Sequence, residues 1–514
     1  MTVFDAVIIG AGHNGLVAAN LLADAGWDVV VLEAAKSPGG SVRSGEVAAP
    51  GFQADLCSAF YPFAACSPIF ASLGLHQYGL RWRHAPTILA HALPDGRAVT
   101  LSRDPERTAA SVSEFATVDG ERWWDTYEQW RCVAKPVLDA IFTPFPPLGA
   151  GVRMLAGTGM GDVLRTVRKF TLSARDLGEE LFAGEGTRVL LTGCAMHSDV
   201  SPEGTGSGAY GWLLTMIGQQ YGFPAPEGGA QSITDALVRR LAARGGQVIC
   251  GTPVERVVVG HGRALGVVDA NGRPWRARRA VLADIPAPLL YLDLVGAKHL
   301  PPRMVADLAN FRYGRPTVKI DWALDGPVPW TNTDISSAGT VHLGGDTADL
   351  TRSAAALAVG DDPAMPFVLA GQMSTVDPTR SPPGTETLWA YTHLPARYAG
   401  LDRNHDNIAS YVERVEQMIT ECAPGFTQLV RGRYVQGPAD LERENPALVG
   451  GTVGAGTSSP GQQLFFRPVP GLGRADTPID RLYLAGASAH PGPGAPVTGK
   501  IYRAAIDAGH RLIY

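Results

Sequence analysis

A glycine-rich turn near residue 10 constrains the fold of this chain more than any other feature. The apolar run from Ala6 to Ile9 predicts a buried strand, and Gly10, Gly12 and Gly15 lead from it into an apolar helical pattern. In a dinucleotide-binding β-α-β unit, these glycines allow a tight turn, a close approach of backbone to pyrophosphate, and close packing of helix on strand. The spacing therefore predicts a Rossmann-type α/β domain.

An acidic residue at the end of the second predicted strand supports this interpretation. The run from Asp28 to Leu32 has the character of a strand, and Glu33 ends it. A carboxylate at this distance accepts hydrogen bonds from the adenosine ribose, while the helix N-terminus offers N–H groups to the phosphates. The alternative is a glycine-rich turn that binds nothing, and it is disfavoured because strand, helix and acid are all in register.

Composition excludes several classes of protein. A chain of 514 residues predicts two or three lobes, and a net charge of -5 gives no reason to expect a nucleic-acid partner. The six cysteines lack CxxC spacing and fit a reducing compartment. The start of the chain has no signal-peptide pattern, and no apolar run is long enough to span a bilayer. A cytoplasmic location is predicted, with a peripheral membrane contact left open.

A second glycine segment carries a resemblance to a known family. Gly39-Gly40-Ser41-Val42-Arg43-Ser44, followed by Gly51-Phe52-Gln53-Ala54-Asp55, resembles the flavin-containing amine oxidase and phytoene desaturase superfamily. In that superfamily, the second glycine pair and the arginine lie against the diphosphate and the flavin edge. The resemblance implies that FAD is the cofactor and that Gly39, Gly40 and Arg43 contact it. The alternative is a plain surface loop with an exposed arginine.

The C-terminal run from Leu484 to Gly494 has the order strand, glycine-rich loop, helix, which is typical of an anion site. It resembles the C-terminal flavin segment of carotenoid desaturases, in which helix N–H groups face the N1/C2 carbonyl side of the flavin. Its Gly486-Ala487 step lacks the acid that often follows, so backbone contacts would hold the cofactor there. The resemblance implies cofactor contacts at Gly486, Gly492, Gly494 and Val497.

Taken together, the chain resembles the phytoene desaturase-related family over nearly its whole length. The stretch from Asp440 to Gly471 agrees more closely with the branch of the pyridine nucleotide-disulphide oxidoreductase domain-containing protein than with true carotenoid desaturases. The strand beginning near Val254 would lie beside the adenine. The resemblance implies FAD-binding segments at 1–71, 222–290 and 471–514, a helical lobe at 72–221 and a mixed α+β substrate domain at 291–470.

Two residues are candidates for catalysis, although desaturation at flavin N5 depends more on position and a dry pocket than on a base. His490 would lie beside the flavin, or it is a structural residue of a Gly/Pro loop. Lys319, in an apolar strand, could approach flavin N5 through water as a lysine does in amine oxidases, or its amine reaches solvent. No metal site is predicted, because His13 has no second ligand at a suitable spacing.

The predicted function is FAD-dependent oxidation or desaturation of a mainly apolar substrate, with hydride passing to flavin N5. An isoprenoid or carotenoid-like substrate is implied by the resemblance, and the electron acceptor is oxygen, a quinone or a soluble carrier. Two alternatives stay open at this point. One is a flavin amine oxidase, which an aromatic pair facing the flavin would support. The other is a non-catalytic lipid- or partner-binding protein of the GDP dissociation inhibitor type.

Overall fold

The computed structural model describes residues 2–142, 164–165, 167–472 and 475–490. Two large sheets organise these residues. Their strands are β1 Thr2–Ile9, β2 Val29–Leu32, β3 Thr87–Ala92, β4 Ala98–Leu101, β5 Gln247–Ile249, β6 Val254–Gly260, β7 Arg263–Asp269, β8 Pro274–Ala283, β9 Thr317–Leu324, β10 Ala338–Leu343, β11 Val368–Gln372, β12 Glu386–His393, β13 Val430–Gln436 and β14 Leu482–Leu484. Two-residue strands pair Ser44–Gly45 with Ala54–Asp55, and Trp82–Arg83 with Ala225–Pro226.

Helices of both long and short kinds cover the sheets. The longer α-helices are α1 His13–Asp24, α2 Pro105–Ser113, α3 Thr117–Ile141, α4 Ala174–Leu181, α5 Glu185–Ala195, α6 Ser207–Tyr221, α7 Gln231–Ala243, α8 Thr347–Val359 and α9 Asp406–Cys422. Shorter helices span Pro62–Ala65, Pro68–Ser72, Pro302–Leu308, Met373–Val376 and Pro438–Glu444, and Leu289–Gly296 forms a π-helix. The described residues contain no helix long and apolar enough to cross a membrane.

The first sheet has the order β6-β7-β8-β1-β2-β5, and β14 pairs with β8. Its centre is parallel, and its strands are apolar on both faces, because α1 and α7 pack against one face and the helices Leu289–Gly296 and Pro302–Leu308 pack against the other. Ile9 lies between Ala283 and Leu32 in the register of the three central strands. The carboxyl ends of these strands therefore meet at one edge, where the glycine turn begins. The predicted α/β fold with a Rossmann-type domain is confirmed.

The second sheet has the order β13-β9-β12-β11-β10-β3-β4. Its strands pair antiparallel except for β3 and β10, which are parallel. The chain segment that we expected to form a helical lobe therefore donates β3 and β4 to a sheet whose other strands come from residues 317–436. All six residues of β3 are buried, because α5 packs on this part of the sheet. Helical patterning on either side of these strands hides them in the sequence.

One hairpin follows from the sequence alone. Asn271-Gly272 is a pair typical of a hairpin turn, and the structure confirms that it turns the chain between antiparallel strands β7 and β8. After this turn, the sequence pattern predicts two separate short strands at 275–278 and 280–283, but these residues form one strand, β8, which pairs with β7 at its start and with β14 at its end. The Pro-rich break at 143–147, the glycine cluster at 157–161 and the helix expected at 497–512 lie outside the described residues.

Candidate functional site

One cavity of about 810 Å³ extends from the edge of the first sheet to the inner face of the second. Its first end is lined by the glycine turn and the strand ends around it, and its second end by apolar side chains of α5, α6 and the second sheet. This volume is in the range of small-molecule and cofactor sites. The first end includes Gly10, Gly12, Glu33, Gly40, Val254 and Asp284. We call these two parts the dinucleotide end and the apolar end.

The glycine turn presents bare backbone to the dinucleotide end. Gly10 has φ +91°, which favours glycine, and a Cβ on Gly15 would lie 2.3 Å from the carbonyl oxygen of Gly10. Gly12 is the N-cap of α1 and makes no side-chain capping bond, while a Cβ on it would lie 2.5 Å from Oδ2 of Asp284. The turn is thus shaped for the close approach of a ligand to a helix N-terminus, which fits a pyrophosphate.

The second glycine pair lies directly beside the first turn. Gly39 forms a parallel bridge with Gly12 and donates its N–H to the carbonyl of Ala11 at 2.8 Å. Gly40 lines the cavity. Arg43 is turned elsewhere, since Nε donates to the carbonyl of Gly40 at 2.9 Å and Nη2 to that of Glu444 at 3.1 Å. Gly39, Gly40 and Arg43 are therefore brought to the turn, but the guanidinium does not line the cavity.

Glu33 lies at the end of β2 and lines the cavity. Its Oε2 accepts the N–H of Ala11 at 2.7 Å, and its Oε1 accepts that of Ala35 at 2.8 Å. A carboxylate oxygen has two lone-pair sites, so each oxygen can still accept a ribose hydroxyl. Val254, the first residue of β6, lines the same end, as its predicted place beside an adenine requires. Its role as a cofactor contact stays a prediction.

Replacing Glu33 by alanine is expected to weaken FAD binding by about 1 to 3 kcal/mol, because buried ribose hydroxyls would lose their acceptor. The same change frees the N–H groups of Ala11 and Ala35, so the turn loses support as well. The FAD dissociation constant of the apoprotein, followed by quenching of flavin fluorescence, measures the effect. Glu255→Ala removes an equal charge from an exposed position of β6 and serves as the control. Equal affinities in the two variants would contradict the assignment.

Asp284 is a site residue that the sequence analysis missed. It directly follows β8, lines the cavity, and accepts the N–H of Gly15 on Oδ2 at 2.9 Å. Burial, with a smaller contribution from the nearby Glu33, raises the pKa of Asp284 to about 7 against the lowering effect of its hydrogen bonds with Gly15 and Asn14. A neutral carboxyl beside the turn spares a bound pyrophosphate from charge repulsion. The available signal was its position at the carboxyl end of a buried parallel strand, where ligands of α/β sheets bind.

Asp284→Asn is expected to remove a pH dependence from FAD binding. The pKa of Asp284 is raised, so the neutral form is present below pH 7 and is lost as the pH rises through that value. In the native protein, the FAD dissociation constant should therefore increase between pH 6 and pH 8.5, by about tenfold if about 1.4 kcal/mol of repulsion develops. The asparagine variant should give a flat profile over the same range. A parallel increase in both proteins would show that another group titrates.

The described part of the C-terminal glycine segment lies at the dinucleotide end of the cavity, beside Asp284. Ala485 donates to the carbonyl of Ala283, and a Cβ on Gly486 would lie 2.9 Å from Oδ1 of Asp284. Gly486 therefore stands beside the glycine turn across Asp284. His490 is buried, and it is not part of the cavity lining among the described residues. Gly492, Gly494 and Val497 lie outside the described residues, so their predicted contacts stay predictions.

Lys319 lines the cavity, and its amine does not reach solvent as one alternative expected. Only 3% of Lys319 is exposed, and Nζ is bound by both carboxylate oxygens of Asp321, two residues along β9, at 2.6 and 2.5 Å. Burial raises the pKa of Asp321, against the lowering effect of the lysine. The amine of Lys319 stays inside the protein because its partner carboxylate, Asp321, is also buried.

A second buried ion pair joins the segment that follows the second glycine pair to the turn before β12 of the second sheet. Nη2 of Arg380 lies 2.9 Å from Oδ2 of Asp55, and both side chains are fully buried. Oδ1 of Asp55 accepts the hydroxyl of Ser44 and the N–H of Ala230, just before α7. The motif that ends in Asp55 is therefore structural. It connects the two-stranded Ser44–Gly45 ribbon, the start of α7 and the turn before β12 of the second sheet.

The apolar end is built from aromatic and aliphatic side chains. Trp389 and Tyr391, both on β12, stack with their rings 5° from parallel and their centroids 6.1 Å apart, and both line the cavity. The tryptophans of α3 lie elsewhere, since Trp123 and Trp130 are buried and donate to Gln219 and Gln220 of α6. These two tryptophans belong to an ordinary core. Other residues of the apolar end are Phe60, Ile141, Leu213, Leu214, Phe223 and Leu369.

Metal-ligating side chains are not clustered in the described part of the chain. Among these residues, there is no group of three or more His, Cys, Asp or Glu side chains that could hold an ion. His13, the first residue of α1, lines the cavity, and burial lowers its pKa to about 4. It is therefore neutral at neutral pH.

Comparisons with known proteins agree with this geometry. A family model described as an NAD(P)-binding Rossmann-like domain matches residues 8–67. The pyridine nucleotide-disulfide oxidoreductase domain-containing protein 2 of Rattus norvegicus is 28% identical over 96% of this chain and 91% of its own length. A hydroxyneurosporene desaturase of Rhodobacter capsulatus is 26% identical over 96% and 95%. A limonene dehydrogenase polypeptide of Castellaniella defragrans is 24% identical over 98% and 92%.

The chain is a homologue of the phytoene desaturase-related oxidoreductases. This relationship confirms the resemblance found in the sequence and the predicted enzyme class, an oxidoreductase of the FAD-dependent kind. The fold of the chain is also similar to that of solved structures. An oxidoreductase of Methanosarcina mazei matches with a TM-score of 0.60 at 17% identity, covering 99% of this chain and 100% of that one. A putrescine oxidase variant matches with 0.61 at 16%, covering 99% of both. At these identities, the likeness concerns the fold alone.

Proposed function

We propose that this oxidoreductase homologue binds FAD across the cavity and oxidises or desaturates a mainly apolar substrate, of isoprenoid or carotenoid-like character. The observation that carries the proposal is the continuity of the cavity. The same space is lined by Gly12 and Glu33 at one end and by Trp389 and Tyr391 at the other. A dinucleotide held at the first end would direct its reducible ring toward an apolar chamber.

The residues present fit an FAD molecule. The turn at Gly10–Gly15 would hold the pyrophosphate on the N-terminus of α1, Glu33 would accept the ribose hydroxyls, and Val254 would contact the adenine. When bound, the flavin supplies an acceptor for hydride. The chain itself excludes water from the chamber through its apolar lining, so that the substrate is held dry and oriented.

The relatives suggest which compounds to try first, because those proteins are named for limonene, hydroxyneurosporene and phytoene. The purified protein is expected to be yellow with a flavin absorption spectrum, or to gain one on addition of FAD. Anaerobic mixing with each of the three compounds in detergent micelles is then expected to bleach the flavin with at least one of them. A protein that binds no FAD would contradict the proposal and favour a non-catalytic protein of the GDP dissociation inhibitor type.

A second candidate function rests on the stacked pair Trp389 and Tyr391, since an aromatic pair beside a flavin is what an amine oxidase would need. The two rings lie two residues apart on β12, are stacked nearly parallel with their centroids 6.1 Å apart, and both line the cavity. Putrescine and cyclohexylamine are suitable probes in the same anaerobic assay. Bleaching by an amine and not by the apolar compounds would favour this second function.

The electron acceptor and the surroundings of the enzyme complete the proposal. Oxygen, a quinone or a soluble carrier would reoxidise the flavin, and the rate of reoxidation by each distinguishes them. The proposal includes no nicotinamide site, so NAD(P)H alone should leave the flavin oxidised under anaerobic conditions. A cytoplasmic location with a peripheral membrane contact is consistent with an apolar substrate, and sedimentation with liposomes tests that contact.

A further inference from the structure

Three histidines, His91, His342 and His197, lie in a row that leads into the apolar end of the cavity. His91 on β3 and His342 on β10 are directly opposite each other on neighbouring strands, and both are fully buried. His197, just after α5, lines the cavity, and its Nε2 lies 2.8 Å from Nε2 of His342. Because Nε2 of His197 is engaged with His342, Nδ1 is the ring nitrogen left to face the cavity.

Gly193 of α5 leaves space for this row of histidines. A Cβ at this position would lie 2.6 Å from Nδ1 of His342 and 3.0 Å from Nδ1 of His91. Both Nδ1 atoms therefore face the same small volume, where neither has a hydrogen-bond partner among the described residues. A helix that lacks a side chain at this point lets two imidazoles stand edge to face, with centroids 5.7 Å apart.

The hydrogen bonds decide which nitrogens carry protons. Nε2 of His91 lies 2.8 Å from the carbonyl oxygen of Gly345, which only accepts, so Nε2 is the protonated nitrogen and Nδ1 carries a lone pair. In the tautomer of His342 that carries its proton on Nδ1, toward the gap at Gly193 that the lone pair of His91 also faces, Nε2 of His342 accepts from Nε2–H of His197. Nδ1 of His197 is then an unprotonated nitrogen that faces the cavity.

We propose that His197 is the proton acceptor of the oxidation, held in the required tautomer by His342 and His91. The proposal rests on the proposed function, which supplies the oxidised flavin. One C–H bond of the substrate breaks and its electron pair leaves as hydride to the flavin. The adjacent C–H bond breaks, its electron pair forms the new double bond, and its proton passes to Nδ1 of His197. The imidazolium returns that proton to water before the next turnover.

The electrostatics of the site agree with this role. Burial lowers the pKa of His197 to about 4, with a smaller contribution from His393 of β12, and it lowers the pKa of His91 to about 4. His342 has its pKa lowered well below the ordinary value, first by burial and then by the other two histidines. The three histidines are therefore neutral, and His197 is able to accept a proton. A weak base suffices, because a C–H bond next to a carbon that is losing hydride is strongly acidic.

The tautomer can be measured without knowing the substrate. In holoprotein labelled with ¹⁵N-histidine, we expect Nδ1 of His197 to resonate as an unprotonated nitrogen and Nε2 as a protonated one at pH 7. His197→Asn assigns the signal by its loss, and His299→Asn, at an exposed position, is the control. In His342→Gln, the signal of His197 should become a mixture of both tautomers. A protonated Nδ1 in the native protein would overturn the proposal.

The proton transfer itself is tested by anaerobic flavin reduction with any compound of the panel that bleaches the native protein. His197→Asn is expected to lower the reduction rate at saturating substrate about 10²- to 10⁴-fold, with the FAD content unchanged. Deuteration at the carbon that loses the proton should slow the variant more than the native protein. A rate within about threefold of the native one, in protein that retains FAD, would overturn this inference alone. Failure to bind FAD at all would instead overturn the proposed function.

Discussion

Arg380→Met is expected to lower the free energy of unfolding by about 3 to 5 kcal/mol, a large share of the stability of a folded protein. Arg380 and Asp55 are both fully buried and lie 2.9 Å apart, so the substitution leaves a carboxylate inside the protein without its cation. The guanidinium also donates from Nε to the carbonyl of Gln53 at 3.0 Å, and that bond is lost too. Urea unfolding followed by tryptophan fluorescence measures the effect.

A matched exposed ion pair provides the control for Arg380. Arg431 and Asp325 are in contact at 2.5 Å, but their side chains are 50% and 48% exposed. Arg431→Met should therefore cost no more than about 1 kcal/mol, because solvent screens such a pair. The double variant Asp55→Asn/Arg380→Met should recover part of the loss, since it leaves no unpaired charge. Equal losses for Arg380→Met and Arg431→Met would mean that the buried pair does not hold the two sheets together.

Gly15→Ala is expected to have the largest effect on the cofactor, lowering FAD affinity about 10- to 100-fold. A Cβ at this position would lie 2.3 Å from the carbonyl oxygen of Gly10 and 3.1 Å from Cβ of Asp284. Neither neighbour can give way cheaply, because one is backbone and the other is held between β8 and the turn. Either α1 or the glycine turn must therefore move, and this movement would displace the N–H groups that would bind the FAD phosphates.

The change in stability and in FAD affinity of Gly15→Ala distinguishes a steric effect from an effect of helix propensity. Gly15 is in the first turn of α1, where alanine would otherwise favour the helix by about 1 kcal/mol. A gain in stability with unchanged FAD binding would show that the close packing at Gly15 is not required. Gly461→Ala is the control, because a Cβ there would meet nothing within 4 Å. Isothermal titration of the apoproteins with FAD gives the affinities, and thermal unfolding of the same samples gives the stability.

The site illustrates how buried charge is arranged around a dry chamber. Lys319 and Asp321 form one pair beside the cavity, and Asp55 and Arg380 form another at the junction between the sheets. Burial raises the pKa of Asp284 to about 7, so this carboxyl is partly protonated near neutral pH. The three histidines next to the chamber are neutral, because burial lowers the pKa of each of them. Charges in this interior are therefore either paired or removed by a pKa shift.

Local patterns in the sequence were sufficient for part of this site. The strand, glycine turn, helix and acid of the first unit lie within about thirty residues, so their relative positions follow from short-range geometry. Gly10, Gly12, Gly15 and Glu33 were found together for this reason, and the structure places all of them at one end of the cavity or in its supporting turn. The hairpin at Asn271-Gly272 was predictable for the same reason.

Other residues could not be located from the sequence, because their roles depend on partners far away along the chain. Asp284 follows a buried strand like many aspartates, and only the pairing of β8 with β1 places it on the glycine turn. Lys319 looked able to reach solvent, until the depth of β9 within the second sheet became known. Likewise, β3 was hidden among helices, because its partner strand β10 is more than 200 residues further on.

The sequence by itself determined the dinucleotide-binding unit, since a turn, a helix start and a strand end are written in neighbouring residues. Only the tertiary structure decided that His91, His197 and His342 meet, that Asp55 finds Arg380, and that one chamber joins the two sheets. The physical reason is that burial and pairing set the charge of an ionisable group, and both depend on which distant strands become neighbours.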